Sequence, residues 1–232
     1  MSIRILLAAA LLALPIAAHA QKTPAKLANP AALKEKSPTK FQATFETTKG
    51  TFVVEFTRAW SPNGVDRAYT MVKHGFLDGV KFFRVVPGFV VQFGIHGDPA
   101  ISTKWLDSNI DDDPVKPELA SNKKGYVTFA KSSAPNSRST QLFINLEDNV
   151  RLDSLGFSPI GKVVSGMNVV EALFGEYGEQ VTSLQGEIAM NGNAFLEKNF
   201  PKLDAIKTCR LAGPTAPAGK SAKPVKADVK PR

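Results

Sequence analysis

The chain has 232 residues, of which 43% are hydrophobic and 22% charged; this globular composition excludes a disordered chain, a collagen-like repeat and a polytopic membrane protein. A single cysteine, Cys209, excludes a disulfide scaffold and a cysteine-built zinc site. The formal charge of +8 sits in the ends, net +4 over residues 22–40 and net +4 over 211–232, while residues 41–210 balance 18 basic against 19 acidic side chains, so composition gives no support to a nucleic-acid-binding groove on the body.

Arg4 precedes an apolar run from Ile5 to Ala18, and Ala18-His19-Ala20 places small residues at both positions of an A-x-A site. This is the pattern of a secretory signal peptide over residues 1–20, with cleavage before Gln21 and export, to the periplasm or beyond it, as the expected consequence. The run is shorter than the ~20 residues that span a bilayer, so no membrane span is expected after its removal. Residues 21–40 and 211–232 contain none of the fifteen phenylalanines and seven of the sixteen prolines. Both stretches are expected to be disordered, a basic linker and a basic tail around one domain over 41–210.

Within the domain, Phe41–Thr47 alternates, Lys49-Gly50 turns the chain, and Thr51–Phe56 is β-branched and aromatic, which predicts a hairpin. Ser61 followed by Pro62 opens a helix with Val65, Ala68, Tyr69 and Val72 at helical spacing, closed by Gly75. Val80–Val86 and Phe89–Phe93 predict strands on either side of Pro87-Gly88. A long polar loop is expected over 95–124, then strands at Tyr126–Ala130, Gln141–Asn145 and Ile160–Val164. A short helix over Met167–Phe174 and a closing strand at Leu203–Leu211 complete the series. Many strands without βαβ alternation imply an antiparallel barrel.

Histidine is scarce: beyond His19 there are only His74 and His96. No HExxH, GxSxG or Walker pattern is present. His74 is expected to cap its helix, His96 to pair with Asp98 in a solvated loop, and Asp111-Asp112-Asp113, which lacks alternating ligand spacing, to be a solvated acidic loop. The informative stretch is Phe82-Phe83-Arg84-Val85-Val86-Pro87-Gly88-Phe89-Val90-Val91-Gln92. Strand alternation puts Phe82, Arg84 and Val86 on one face and leaves Arg84 among apolar neighbours. In Thr140-Gln141-Leu142-Phe143-Ile144 the same rule sets Gln141 and Phe143 opposite Leu142 and Ile144. Pattern alone leaves two readings open here: a binding surface, or an arginine and a glutamine exposed on a barrel exterior.

FFRVVPGFVVQ, then GYVTFAKSSAPNSRSTQLFI, then GKVVSGMNVVEAL resembles, in order, the cyclophilin family of peptidyl-prolyl cis-trans isomerases over about 44–210. The resemblance implies a mainly β fold, a closed eight-stranded antiparallel barrel capped by two short helices. It implies that Arg84 is the catalytic arginine, and that Phe89, Gln92, Ala130, Gln141, Phe143 and Leu152 line the substrate groove. Phe83 and Phe157 stand where the family carries histidines, and both are expected at the groove. Arg151 aligns with the tryptophan that many members use against cyclosporin, and Lys131 with a groove asparagine. The implied activity is rotation of Xaa-Pro bonds in unfolded or partly folded exported proteins, by a monomer without cofactor or metal. Proline-peptide binding or chaperoning on the same fold with weak turnover is the alternative; a third is an envelope protein tethered through its basic ends.

Overall fold

The computed structural model describes residues 25–213; the expected signal peptide and the tail beyond Gly213 lie outside the described residues. The predicted hairpin is strands β1 (Lys40–Thr47) and β2 (Gly50–Thr57). Alternation sends Ala43, Phe45, Phe52, Val54 and Phe56 inward. Register places Phe45 opposite Phe52 and Phe41 opposite Phe56, and each pair stacks with ring centroids 4.7 Å apart. Such cross-strand aromatic pairs stabilise the sheet in this register.

Helix α1 (Pro62–Lys73) then crosses the inner face of the sheet, burying Val65, Ala68, Met71 and Val72. Its start is capped from a distance. The Ser61 side chain makes no bond to the helix; instead Asp113 accepts from the Ser61 hydroxyl (2.6 Å) and from the amides of Asn63 (3.0 Å) and Gly64 (2.9 Å). Arg138 closes the same buried cluster at 3.0 Å from Asp113. The acidic run expected to be solvated is therefore partly structural: a carboxylate on two of the free helix-end amides is stabilised by geometry and by the helix dipole. At the other end, the His74 ring meets Glu35 at 3.0 Å rather than the last carbonyls.

Strands β3 (Arg84–Val86), β4 (Val90–Phe93), β5 (Tyr126–Phe129), β6 (Leu142–Asn145), β7 (Pro159–Ser165) and β8 (Ile206–Leu211) complete one antiparallel sheet in the order β3-β4-β6-β5-β7-β2-β1-β8. The expected closed barrel is corrected to an open half-barrel, because β3 and β8 are not laddered to each other. Only the residues ahead of β3 reach β8, through the bridge Lys81↔Ala205 and the bonds Phe82 N–H to Asp204 O (3.0 Å) and Ile206 N–H to Val80 O (2.9 Å). The physical reason lies in two neighbouring side chains. Val80 and Phe82 face the main core and Phe83 a second one, but the next residue in the main core is Val85, so alternation slips by one residue between Phe82 and Val85 and β3 cannot continue back as one strand. Phe82 and Arg84 accordingly do not share a face.

Among the described residues, four α-helices replace the two expected. Besides α1, these are α2 (Pro99–Leu106), α3 (Met167–Glu171) and α4 (Gln185–Asn199). α2 lies in the stretch expected to be a polar loop, opened by Asp98, which accepts from the Ala100 amide at 2.9 Å. The His96 ring is buried, accepts from the Asp98 amide at 3.0 Å and packs on Phe76, so it does not belong to a solvated loop. α4 was not foreseen; Gly186 and Gly192 interrupt its apolar spacing. Gly192 bends it at φ +62°, where a Cβ would fall 2.1 Å from the Gly97 carbonyl oxygen, so only glycine fits. Ile188, Ala189 and Leu196 of α4 bury Phe83, Ile95 and Val181.

The expected disordered linker is also corrected for its described part, residues 25–40. Leu27 is fully buried in the main core, and its carbonyl accepts from the Trp105 indole at 2.8 Å. Glu35 pairs with Lys73 and His74, and Ser37 bonds Asp66. Leu27, Leu33 and Trp105 supply the apolar contact that a count of phenylalanines overlooked.

Candidate active site: a groove on the outer face of the sheet

Three strands place three side chains in one row. Arg84 of β3 lies opposite Gln92 of β4, and Gln92 opposite Phe143 of β6. Residues between them on the same strands, Val85, Val91, Leu142 and Ile144, point the other way into the main core. The Gln141/Phe143 against Leu142/Ile144 alternation expected for this segment is what the structure has, although β6 itself begins at Leu142 and Gln141 sits just before it. The row opens on a groove of about 530 Å³.

The groove has an apolar floor. Val90, Phe143 and Leu152 are buried together, with Phe89, Ala130 and Phe157 packed around them. Phe143 and Phe157 meet edge to face at 5.9 Å. A buried amide network holds these walls in place. Asn149 donates to the Phe89 carbonyl (3.0 Å), and Asn122 donates to the Phe157 carbonyl (2.7 Å) and to Asp153 (2.7 Å). Asn145 joins the two asparagines. Fully satisfied buried amides of this kind give rigid walls.

The polar side of the groove is a closed ring of hydrogen bonds. Arg84 Nε and Nη2 donate to the two Glu179 oxygens at 2.8 and 2.6 Å, and Nη1 donates to Gln92 Oε1 at 2.9 Å. Gln92 Nε2 donates to Gln141 Oε1 (2.8 Å), and Gln141 Nε2 to Gln185 Oε1 (2.9 Å). Gln185 Nε2 donates to the Thr182 carbonyl (3.1 Å), and the Thr182 hydroxyl returns to Glu179 at 2.8 Å. The Arg84 guanidinium holds the Glu179 carboxyl below the usual carboxylate range. Three cations lean on the apolar walls: both Arg84 and Arg151 stand over the Phe89 ring, at 5.4 and 5.2 Å, and Lys131 stands over Phe157 at 5.4 Å.

Of the residues proposed from sequence, Arg84, Phe89, Gln92, Ala130, Gln141, Phe143, Leu152 and Phe157 all line this groove. Phe83 does not. It is 1% exposed and packs with Ile188 and Leu196 of α4, because the chain ahead of β3 turns it away from the groove. Glu179, Thr182 and Gln185 were missed. They come from the segment before and at the start of α4, and nothing in local periodicity marks a side chain whose role is to reach another strand. Among the described residues, no group of three or more His, Cys, Asp or Glu side chains is placed to hold a metal ion, and no helix is long and apolar enough to cross a membrane.

Comparison with known proteins agrees with this geometry. The family described as cyclophilin type peptidyl-prolyl cis-trans isomerase/CLD matches residues 42–189. A relative named peptidyl-prolyl cis-trans isomerase A, from Dickeya dadantii, is 32% identical over 154 residues, covering 59% of this chain and 78% of the relative. A peptidyl-prolyl cis-trans isomerase of Acinetobacter baylyi is 29% identical, covering 55% and 69%. Among solved structures, a cyclophilin type isomerase of Cryptosporidium parvum shares the fold, with a TM-score of 0.57, 18% identity and coverage of 76% of this chain and 99% of that one.

Proposed function

This chain belongs to the cyclophilin-type peptidyl-prolyl cis-trans isomerase family, and from that premise we propose that Arg84 is its catalytic residue and the groove beside it the substrate site. The observation that carries this is the row Arg84–Gln92–Phe143, which sets a guanidinium next to the apolar floor of Val90, Phe143 and Leu152. Rotation of an Xaa-Pro bond must overcome a barrier of ~18–20 kcal/mol that arises from amide resonance. Twisting the bond localises a lone pair on the prolyl nitrogen. A fixed N–H donor bonds that nitrogen in the twisted state and much less in the planar one, which is selective stabilisation of the transition state. Phe89, Phe143, Leu152 and Phe157 grip the proline ring, while the amides of Gln92 and Gln141 orient the flanking backbone. No proton is transferred and no covalent bond is made, so the histidines replaced by Phe83 and Phe157 are not required.

The substrates in this reading are proline-containing unfolded or partly folded polypeptides. The pattern of residues 1–20 supports export, most simply to the periplasm, where the protein would assist folding of other exported chains. The deciding experiment is turnover of an Xaa-Pro peptide by purified 21–232 beside Arg84→Ala. The variant is expected to lose at least about a hundredfold in kcat/KM, as for removal of an oxyanion-type donor, with little change in peptide affinity. Near-normal turnover by Arg84→Ala would take the catalytic role from Arg84, and peptide binding without turnover by the unmodified protein would make the groove a proline-peptide binding module.

A further inference from the structure

The Arg84 guanidinium is already engaged in the free protein. Of its five N–H bonds, two go to the Glu179 carboxylate and one to Gln92. Orientation does not need the carboxylate. β3 fixes the Cα, Gln92 holds Nη1, and the Phe89 ring lies against the guanidinium at 5.4 Å. What the carboxylate adds is negative charge in two-point contact with the donor, and that charge opposes the positive field on which stabilisation of a developing lone pair depends.

The source of that charge is separate from the sheet. Glu179 precedes α4, its side chain is 56% exposed against 19% for Arg84, and its other partner is the nearby Thr182 hydroxyl. It can therefore move away without disturbing β3 or β4. The ring of hydrogen bonds also has a direction: Gln92 donates to Gln141, which donates to Gln185. Parting Arg84 from Glu179 frees the arginine and leaves that amide series intact.

We propose that Glu179 is a positioning residue that restrains Arg84, so that turnover is set by how readily the carboxylate yields the guanidinium to a proline peptide in the groove. The inference rests on the assignment of Arg84 as the isomerising donor. It identifies the segment before α4, through Glu179, as the part of the chain that tunes the rate.

The test compares full-length mature protein (21–232), Glu179→Gln and Glu179→Asp on one uncharged Xaa-Pro peptide at low and high salt, with kcat and KM resolved. Glu179→Gln removes the charge and is expected to raise kcat/KM by roughly three- to tenfold, mainly in kcat, as for loss of a partly screened opposing charge. Glu179→Asp keeps the charge on a shorter stem and should fall between. Added salt should raise turnover of the unmodified protein and leave Glu179→Gln unchanged. A Glu179→Gln protein that melts as the unmodified one does and turns over no faster would overturn the proposal. If Glu179→Gln does not fold, the salt series on the unmodified protein decides: a rise supports the restraint, and a flat or falling rate refutes it. If neither protein turns over any peptide, the isomerase reading fails and takes this inference with it. An active unmodified protein with a variant that is no faster removes only the restraint.

Discussion

The indole N–H of Trp105 donates to the main-chain carbonyl of Leu27 at 2.8 Å, joining residues 78 positions apart and tying the N-terminal strap to α2. Leu27 is fully buried, and the same indole packs on Phe76 at 4.7 Å and under Arg67 at 5.3 Å. The basic strap is thus part of the folded body, although its composition alone argues for disorder. Deleting residues 21–36 should destabilise the domain. Burial of one Leu contributes about 1.5–3 kcal/mol and the hydrogen bond about 1 kcal/mol. For a domain of this size that corresponds to a fall of roughly 5–10 °C in Tm. Leu27→Ala should reproduce a good part of it. An unchanged melting curve for the deletion would show that the strap contributes nothing.

Phe143→Ala should damage peptide binding and stability together. Phe143 is both floor of the groove and a packed residue against Val90, Leu152 and Phe157. Truncating a fully buried Phe costs ~3–5 kcal/mol, and less at a pocket wall that water can refill. Calorimetric affinity for a proline peptide is the discriminating measurement. Unchanged affinity would place the proline ring elsewhere.

A buried histidine makes stability depend on pH. Burial pushes the His96 ring below its ordinary value of 6.5, against the smaller opposing pull of Asp98 and Asp78. The folded state therefore disfavours the charged ring while the unfolded chain takes up the proton near 6.5. Stability is full above pH 6.5 and falls as pH drops from there towards the lower folded value. Denaturant melts between about pH 8 and pH 5, above the range where carboxylates titrate, should show this slope. His96→Asn keeps an acceptor near the position of Nδ1 for the Asp98 amide and removes the titration. Its curve should be flat over the same window, even if lower throughout.

Cyclosporin should inhibit this protein weakly. Arg151, which the resemblance aligns with the tryptophan that many family members use against the drug, is exposed and leans on Phe89. Asp153, two positions on, would share its face and offset its charge if this segment were extended. Asp153 instead accepts from Asn122 and Ser121, because residues 150–155 form a 3-10 turn and not an extended segment. Covering Arg151 with an apolar macrocycle therefore desolvates its charge without that compensation. Arg151→Trp should raise drug affinity by about tenfold, as for an aromatic anchor with a hydrogen-bond donor. Tight inhibition of the unmodified protein would show that Arg151 does not lie at the drug contact.

Alternation made part of the groove legible before the fold was known, and the family resemblance supplied Phe89, Gln92, Ala130, Leu152 and Phe157. Gln141 and Phe143 against Leu142 and Ile144 is a period-2 pattern, and such a pattern places side chains by local geometry whatever the rest of the chain does. The hairpin Lys40–Thr57 and helix α1 followed from the same kind of local signal. Phe83 shows the limit. Alternation was carried unbroken from Val80 to Val86, but Phe82 and Val85 both face the main core while Phe83 enters a second one, so the period slips by one residue ahead of β3.

Local pattern by itself determined most of the strands and the shared face of Gln141 and Phe143, and three ordered blocks of residues pointed to the family and, through it, to Gln92. Tertiary structure alone decided the features that depend on contacts between distant parts of the chain. These are the open edge between β3 and β8, the docking of Leu27 beneath Trp105, and the capping of α1 by Asp113. The pairing of Arg84 with Glu179, 95 residues on, is the last of them. Periodicity reports only whether a side chain faces inward or outward within its own element. The partner it meets there is set by how the sheet curves and where α4 lands, and those follow from the packing of the whole core.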